Sequence, residues 1–209
     1  CACPPVSLFN APDMCNNLGT LDLGTLVLPQ TPSGGAWSIL TAPPGSNPAV
    51  IIPPDQFDPT GADAGLYTLQ YLVSGLAAYC DDDATVTVNV IRTPMAGVAN
   101  APISYCAGEN QVINLANLIT GEDVGGIWNE SSQFPSTGGA FNAATGTFTI
   151  SAQAPGTYTF DYILLGAGPC PDDMVTVEVV IEANPIADAG NTSTLNCVTP
   201  TASIGGSGT

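Results

Sequence analysis

The chain contains no histidine and a single basic residue, Arg92, against 18 acidic ones, for a formal net charge of -17. Each absence removes a class of function. Without Lys and Arg to neutralise phosphates, nucleic-acid binding is excluded, and so is attraction to an anionic membrane surface. Missing histidine takes away a common general base and most zinc sites. Missing lysine takes away Schiff-base chemistry and the amine of a Lys–Asn isopeptide cross-link. No catalytic residue is assigned, and the chain is expected not to be an enzyme. Apolar runs such as 26–28 and 175–181 are strand-sized, short of the roughly 18 to 20 residues of a membrane helix, so no direct membrane insertion is expected. No secretory leader opens the sequence, which is expected to be a mature form or a fragment.

What is present points outward from the cell. Hydrophobic residues make up 44% of the 209 residues, enough for packed cores. Seven cysteines accompany 23 glycines and 19 prolines, a composition suited to a secreted, disulfide-bearing protein at the cell surface. Seven is odd, so at least one thiol must be unpaired or pair outside the chain.

The stretch Gly65-Leu-Tyr-Thr-Leu-Gln-Tyr71 returns as Gly156-Thr-Tyr-Thr-Phe-Asp-Tyr162, 91 residues later. The same shift carries Cys15 to Cys106 to Cys197, Gly35-Ala-Trp37 to Gly126-Ile-Trp128, Gly75 to Gly166 and Pro94 to Pro185. Cys80 and Cys170 fall one residue out of step, which a single insertion explains. Self-similarity at a fixed period indicates tandem modules: 1–93, 94–184 and a partial third over 185–209 that holds only first strands. Within the first, strands are expected at Val6 to Phe9, Leu21 to Leu28, Ala36 to Leu40, Ala49 to Ile52, Leu66 to Val73 and Ala84 to Ile91. Short alternating strands between turn-rich loops, without convincing 3.6-residue periodicity, predict an all-β fold: tandem immunoglobulin-like β-sandwiches. The joins Arg92-Thr-Pro94 and Ala183-Asn-Pro185 are too short for flexible linkers, so a rod is expected.

Trp37 and Trp128 read as the buried Trp that such sandwiches place on their third strand, and sugar-stacking platforms are the alternative. Tyr67 and Tyr158 read as corner residues whose hydroxyls bond back to the preceding turn. With Ala154 where the first copy has Asp63, the second corner is expected to rest on backbone contacts alone. Leu69 and Phe160 occupy the place of the second cysteine of the usual inter-sheet bridge. The repeat instead pairs Cys15 with Cys80 and Cys106 with Cys170, each closing about 65 residues for about 3 to 4 kcal/mol. A crossed Cys80–Cys106 pair is the weaker alternative. Cys1, Cys3 and Cys197 remain. Cys197 is expected either to pair beyond these residues in a longer array or to bond Cys1 or Cys3 of a neighbouring molecule. Cys1 also suits a lipid-anchored chain. No metal ligand set or cofactor is assigned. Calcium stays open for Asp81-Asp-Asp83, Glu122-Asp123 and Asp172-Asp173, a solvated acidic loop being the plainer reading. Asn129-Glu-Ser131 and Asn191-Thr-Ser193 match the N-glycosylation triplet.

The succession of a Cys, G-x-W, G-x-Y-T-x-x-Y, a second Cys, an acidic loop and T-V-x-V resembles the immunoglobulin-like (PKD-like) repeats of Bacteroidota surface adhesins and gliding-associated proteins. The resemblance covers nearly the whole chain. It implies a non-enzymatic extracellular structural protein, a repeat rod of a surface filament or adhesin. Its partners would be copies of itself or further repeats of the same chain. The alternative is a carbohydrate-binding accessory module with surface glycans as partners.

Overall fold

The computed structural model describes residues 5–74, 82–188 and 207–208. Packing divides the chain into two compact units. Unit 1 comprises Cys1–Ala96, Asp123–Gly126 and Ile163–Met174, and unit 2 comprises Gly97–Glu122, Ile127–Tyr162 and Val175–Thr209. Both are therefore discontinuous in sequence, whereas the 91-residue spacing cuts the chain at 93/94 and 184/185.

Unit 1 is built from β1 (Met14–Cys15), β2 (Leu21–Asp22), β3 (Ala36–Thr41), β4 (Val50–Ile52), β5 (Gln56–Asp58), β6 (Gly65–Val73) and β7 (Asp82–Ile91). One sheet has the order β1-β7-β6-β3 and the other β2-β5-β4. Period-two alternation decides what each strand buries. On β6, Tyr67, Leu69, Tyr71 and Val73 point into the core, while Leu66 and Leu72 face out. Phe57 on β5 and Leu23 meet Tyr67 and Leu69, all four fully buried, while Tyr71 and Val73 pack with Val6. At about 1.5 to 3 kcal/mol per buried large side chain, this cluster is the main source of cohesion. Strand β1 runs parallel to β7, with Cys15 opposite Ile91.

The expected strand at Leu21 to Leu28 is interrupted. After two residues the chain tightens into a 3-10 turn over Leu23–Leu26, because the Asp22 side chain accepts from Gly24 N and caps it. The expected strand at Val6 to Phe9 is reduced to a single bridge between Leu8 and Val27.

Unit 2 repeats the plan with β8 (Val98–Ala99), β9 (Ile103–Cys106), β10 (Val112–Asn114), β11 (Ile119–Thr120), β12 (Ile127–Glu130), β13 (Phe141–Asn142), β14 (Thr147–Thr149), β15 (Gly156–Leu164) and β16 (Asp173–Glu182). Its sheets are β12-β15-β16-β9 and β10-β14-β13, with β8 and β11 as a separate pair. Asn114 caps a 3-10 turn at Leu115–Leu118, as Asp22 does in unit 1. Strand β9 runs parallel to β16 with Cys106 opposite Glu182, each partner 91 residues beyond its counterpart in the Cys15–Ile91 pair. The core is more aromatic: Phe148 lies 4.9 Å from Phe160 and 5.1 Å from Tyr158, ring centre to ring centre.

A short pair, β17 (Ala187–Asp188) and β18 (Ser207–Gly208), follows in antiparallel register. The remainder of the expected partial repeat, with Cys197, lies outside the described residues, as do Cys1, Cys3 and Cys80. There is no α-helix among the described residues. Facing sheets, a first strand parallel to the last, and the corner tyrosines described below make this an all-β immunoglobulin-like sandwich fold.

Candidate functional site: a cross-link, two corners and an aromatic cleft

The cysteines depart from expectation. Cys15 is bonded to Cys170 with a Cα–Cα distance of 5.1 Å, across 155 residues of sequence. Cys106 is an exposed free thiol. The expected Cys106–Cys170 pair is therefore overturned, and Cys15 is taken by a partner other than Cys80. The reason lies in where the 165–172 loop lands. It packs within unit 1, where Cys15 and Cys170 are both buried. Gly168 has φ +58°, and a Cβ there would meet Ile91 Cδ1 at 2.6 Å. A Cβ on Gly166 would overlap the carbonyl oxygen of Cys170. Gly166 lets the loop fold back on its own backbone, and Gly168 lets it lie against the end of β7. Closing 155 residues contributes on the order of 5 kcal/mol on the chain-entropy model, more than either expected pair.

Asn16 fastens the neighbouring backbone. Its N donates to Ile91 O at 3.0 Å, its side chain donates to Ala62 O at 3.1 Å, and its Oδ1 accepts from Thr93 N and Thr93 Oγ1, each at 2.9 Å. The hydroxyl of Thr93 also lies 3.2 Å from Cys15 Sγ. Unit 2 carries the mirror of this clasp with the residues exchanged. Ala107 N donates to Glu182 O at 2.8 Å, and the Asn184 side chain donates to Ala107 O at 2.9 Å. Asn has moved from the first strand's side of the clasp to the last strand's.

Tyr67 is buried and donates its hydroxyl to Asp63 O at 2.8 Å, while accepting from Ala49 N at 3.3 Å. Tyr158 donates to Ala154 O at 2.9 Å. Burial, with the Glu130 carboxylate second, pushes the Tyr158 phenol above its ordinary value. Both hydroxyls bond a main-chain carbonyl, so the Asp63 side chain is free for another task. It accepts from Asn47 N at 2.8 Å, and Asp63 N donates to Asn47 O at 2.8 Å. The expectation that the second corner rests on backbone contacts alone is corrected by Gln153. That side chain, buried, accepts from Thr137 N at 2.9 Å and donates to Thr137 O at 3.1 Å. Both bridges span 16 residues, so a one-residue slip of the polar side chain preserves the strap.

The acidic clusters have structural employment. Asp82 Oδ2 accepts from Val6 N at 3.0 Å, Asp173 Oδ2 from Ala96 N at 2.7 Å and Asp172 Oδ1 from Gly166 N at 2.8 Å. Asp123 takes Arg92 Nη2 at 2.8 Å on one oxygen and Met95 N at 2.9 Å on the other. The Arg92 hydrogen bond holds the Asp123 carboxyl below its usual range. Asp81 lies outside the described residues. Among the described residues no three His, Cys, Asp or Glu side chains gather as a metal site would require.

Trp37 and Trp128 are half-buried rather than fully enclosed. Each lies against the second tyrosine of its repeated motif: Trp37 and Tyr71 have ring centres 5.0 Å apart, as do Trp128 and Tyr162. Gly35 N donates to the Tyr71 hydroxyl at 3.0 Å, and a Cβ on Gly35 would run into the tyrosine ring. This close approach explains the glycine two residues ahead of the tryptophan. Trp37 and Tyr71 line an open cleft of about 500 Å³ with Pro29, Gly34, Pro54 and Asp55. The indole N–H of Trp37 is buried without a hydrogen-bond partner. Sequence reasoning did not find this cleft, since its walls come from four separate segments.

No protein-family model matches the chain, and no curated protein matches it. Among solved structures it is similar to the insect immune protein hemolin at 14% identity and a TM-score of 0.46, covering 86% of this chain and 47% of that one. A titin I-band fragment, I67-I69, gives 14% and 0.41 with coverages of 88% and 68%. Human protocadherin-24 EC1-2 gives 12% and 0.43 with coverages of 85% and 97%. This chain spans less than half the length of the hemolin chain. Identities and scores this low carry no functional argument, and the fold assignment rests on strand order and corner geometry.

Proposed function

We propose that this is a non-enzymatic extracellular structural protein, a rod of tandem immunoglobulin-like repeats belonging to a bacterial surface filament or adhesin. The carrying observation is that one sandwich plan recurs at a fixed spacing, down to the parallel register of Cys15 with Ile91 and Cys106 with Glu182. A disulfide spanning 155 residues fits an oxidising, extracytoplasmic setting. The acidic surface keeps such a protein soluble, and one basic residue leaves almost nothing for trypsin-like proteases. Further repeats of the same chain or copies of it are the partners this reading requires.

Small-angle scattering of the oxidised protein is the test. A cross-section of one sandwich with a maximum dimension near two modules end to end supports a rod. A compact, near-spherical particle overturns it. The second reading, a carbohydrate-binding module, is favoured by one observation: the Trp37–Tyr71 pair faces an open cleft. A glycan array with wild type and Trp37→Ala decides it. Binding that is lost in a variant of unchanged stability would put the second reading first.

A further inference from the structure

The staggered cross-link in unit 1 has a vacant counterpart in unit 2. Cys15 closes β1, the strand that runs parallel to β7, and its disulfide partner is the cysteine of the loop leading into β16. Cys106 closes β9 in the same register on β16. The surrounding clasp is also present, with Ala107 N on Glu182 O and Asn184 on Ala107 O. In unit 1 the corresponding cysteine is 1% exposed under its loop, whereas Cys106 is exposed and free. A lone thiol would imply nothing. Here an equivalent thiol, in an equivalent strand register, is bonded within the same molecule.

We propose that Cys106 is the acceptor of an inter-repeat disulfide, whose partner is the cysteine in the last-hairpin loop of the repeat that follows unit 2. Each repeat's first cysteine would then bond the loop cysteine of the next repeat, giving a ladder staggered by one module. This rests on the tandem-repeat reading above and adds the cross-linking rule to it. Formation is a two-electron oxidation. The Cys106 thiolate attacks a disulfide oxidant, such as an exported thiol–disulfide oxidase or oxidised glutathione, and releases one thiol. The loop cysteine's thiolate then attacks the Cys106 sulfur of the mixed disulfide and releases the second. Two protein thiols become one disulfide, and the oxidant disulfide becomes two thiols. The receiving site differs at four positions: Ala107, Glu182, Ala183 and Asn184 stand where unit 1 has Asn16, Ile91, Arg92 and Thr93, so the Asp123 type of ion pair is not reproduced there.

The loop can come from the same longer chain or from a neighbouring copy, and the experiment separates the two. Native protein from the cell surface is alkylated, digested without reduction and mapped by mass spectrometry, beside a non-reducing gel. The expected result is a Cys106 peptide joined to a loop-cysteine peptide. A band that reduction does not shorten to a smaller chain places the loop in the same polypeptide, and a ladder that reduction collapses places it in a neighbour. Cys106→Ser should abolish that linked peptide and leave Cys15–Cys170 intact. Recovery of Cys106 as an alkylated free thiol, or joined to Cys1, Cys3, Cys197 or a small thiol, overturns the proposal. Scattering on the same sample keeps the two readings apart: an extended particle with free Cys106 defeats the ladder and spares the rod.

Discussion

The two units solve the same corner with different residues. Unit 1 straps the turn before β6 with Asp63, using one carboxylate oxygen and its own main-chain N–H on Asn47. Unit 2 straps the turn before β15 with the amide of Gln153 alone, which supplies both an acceptor and a donor to Thr137. A carboxylate can only accept, so Asp63 needs its backbone for the second bond, whereas a glutamine brings both functions in one side chain. Gln153 can therefore sit one residue earlier and still close the bridge. The cysteines show the opposite relation. Cys15 and Cys106 hold matching backbone registers, yet one is buried in a cross-link and the other is exposed. Identical local structure thus has unlike consequences when the partner must arrive from elsewhere in the chain.

The largest expected effect separates the units through their cysteines. Cys170→Ser should cost unit 1 on the order of 5 kcal/mol in urea denaturation, followed by Trp37 fluorescence in a Trp128→Phe background. Under dithiothreitol the variant and the parent should coincide. Cys106→Ser should leave the same transition unmoved, and an equal loss from both variants would erase the distinction drawn above.

The corner straps come next. Gln153→Ala takes the partner from the Thr137 N–H and leaves Thr137 O with Ala140 N alone, while emptying a buried side-chain site, and should cost roughly 2 kcal/mol by the same measurement. Asp63→Ala acts at a half-exposed position, where water can replace it, and should cost about 1 kcal/mol. Equal losses would show that the two straps are interchangeable.

The tyrosine hydroxyls should differ in the other direction. Tyr67→Phe removes the partner of two main-chain groups, buried Ala49 N and half-buried Asp63 O, and should cost about 2 kcal/mol, against about 1 for Tyr158→Phe. Amide hydrogen exchange at Ala49 checks the assignment, since its protection should fall only in the Tyr67 variant.

The smallest effects are in pH. Asp58, held low first by the Thr60 hydroxyl and then by Thr60 N, and Asp123, held low chiefly by Arg92, both have folded values below the unfolded one. Their contribution is present above the ordinary carboxylate range and is lost as pH falls through the lowered values. Tyr158 has the reverse sign. Its raised phenol contributes stability below the ordinary tyrosine value, and that contribution is lost as pH rises through the raised one. The midpoint of urea unfolding should therefore decline slightly at both ends, and Tyr158→Phe should remove the tyrosine part of the alkaline decline.

Much of the fold was legible because strand identity is a local property. The alternation in Gly65 to Val73 and in Gly156 to Leu164 is written residue by residue, and the side chains it marks as inward are the buried ones. The glycine ahead of each tryptophan was visible as a motif, although its cause, the ring of Tyr71 over Gly35, was not. Less was legible where a polar side chain acts at a distance. Asp22 breaking its own strand into a 3-10 turn is a capping event that hydrophobic pattern does not register. Gln153 in the role of Asp63 lay hidden because the substitution is displaced by one position.

By itself the sequence determined an all-β chain in which one strand-and-turn pattern occurs twice, with no histidine and a single basic residue. Only the tertiary structure decided which cysteines meet. A disulfide requires two Cβ atoms within about 4.5 Å, a condition on positions in space to which spacing along the chain is blind. The 165–172 loop folds back on itself at Gly166 and lies close to the end of β7 at Gly168; Cys170 is thereby set beside Cys15, and Cys106 is left open.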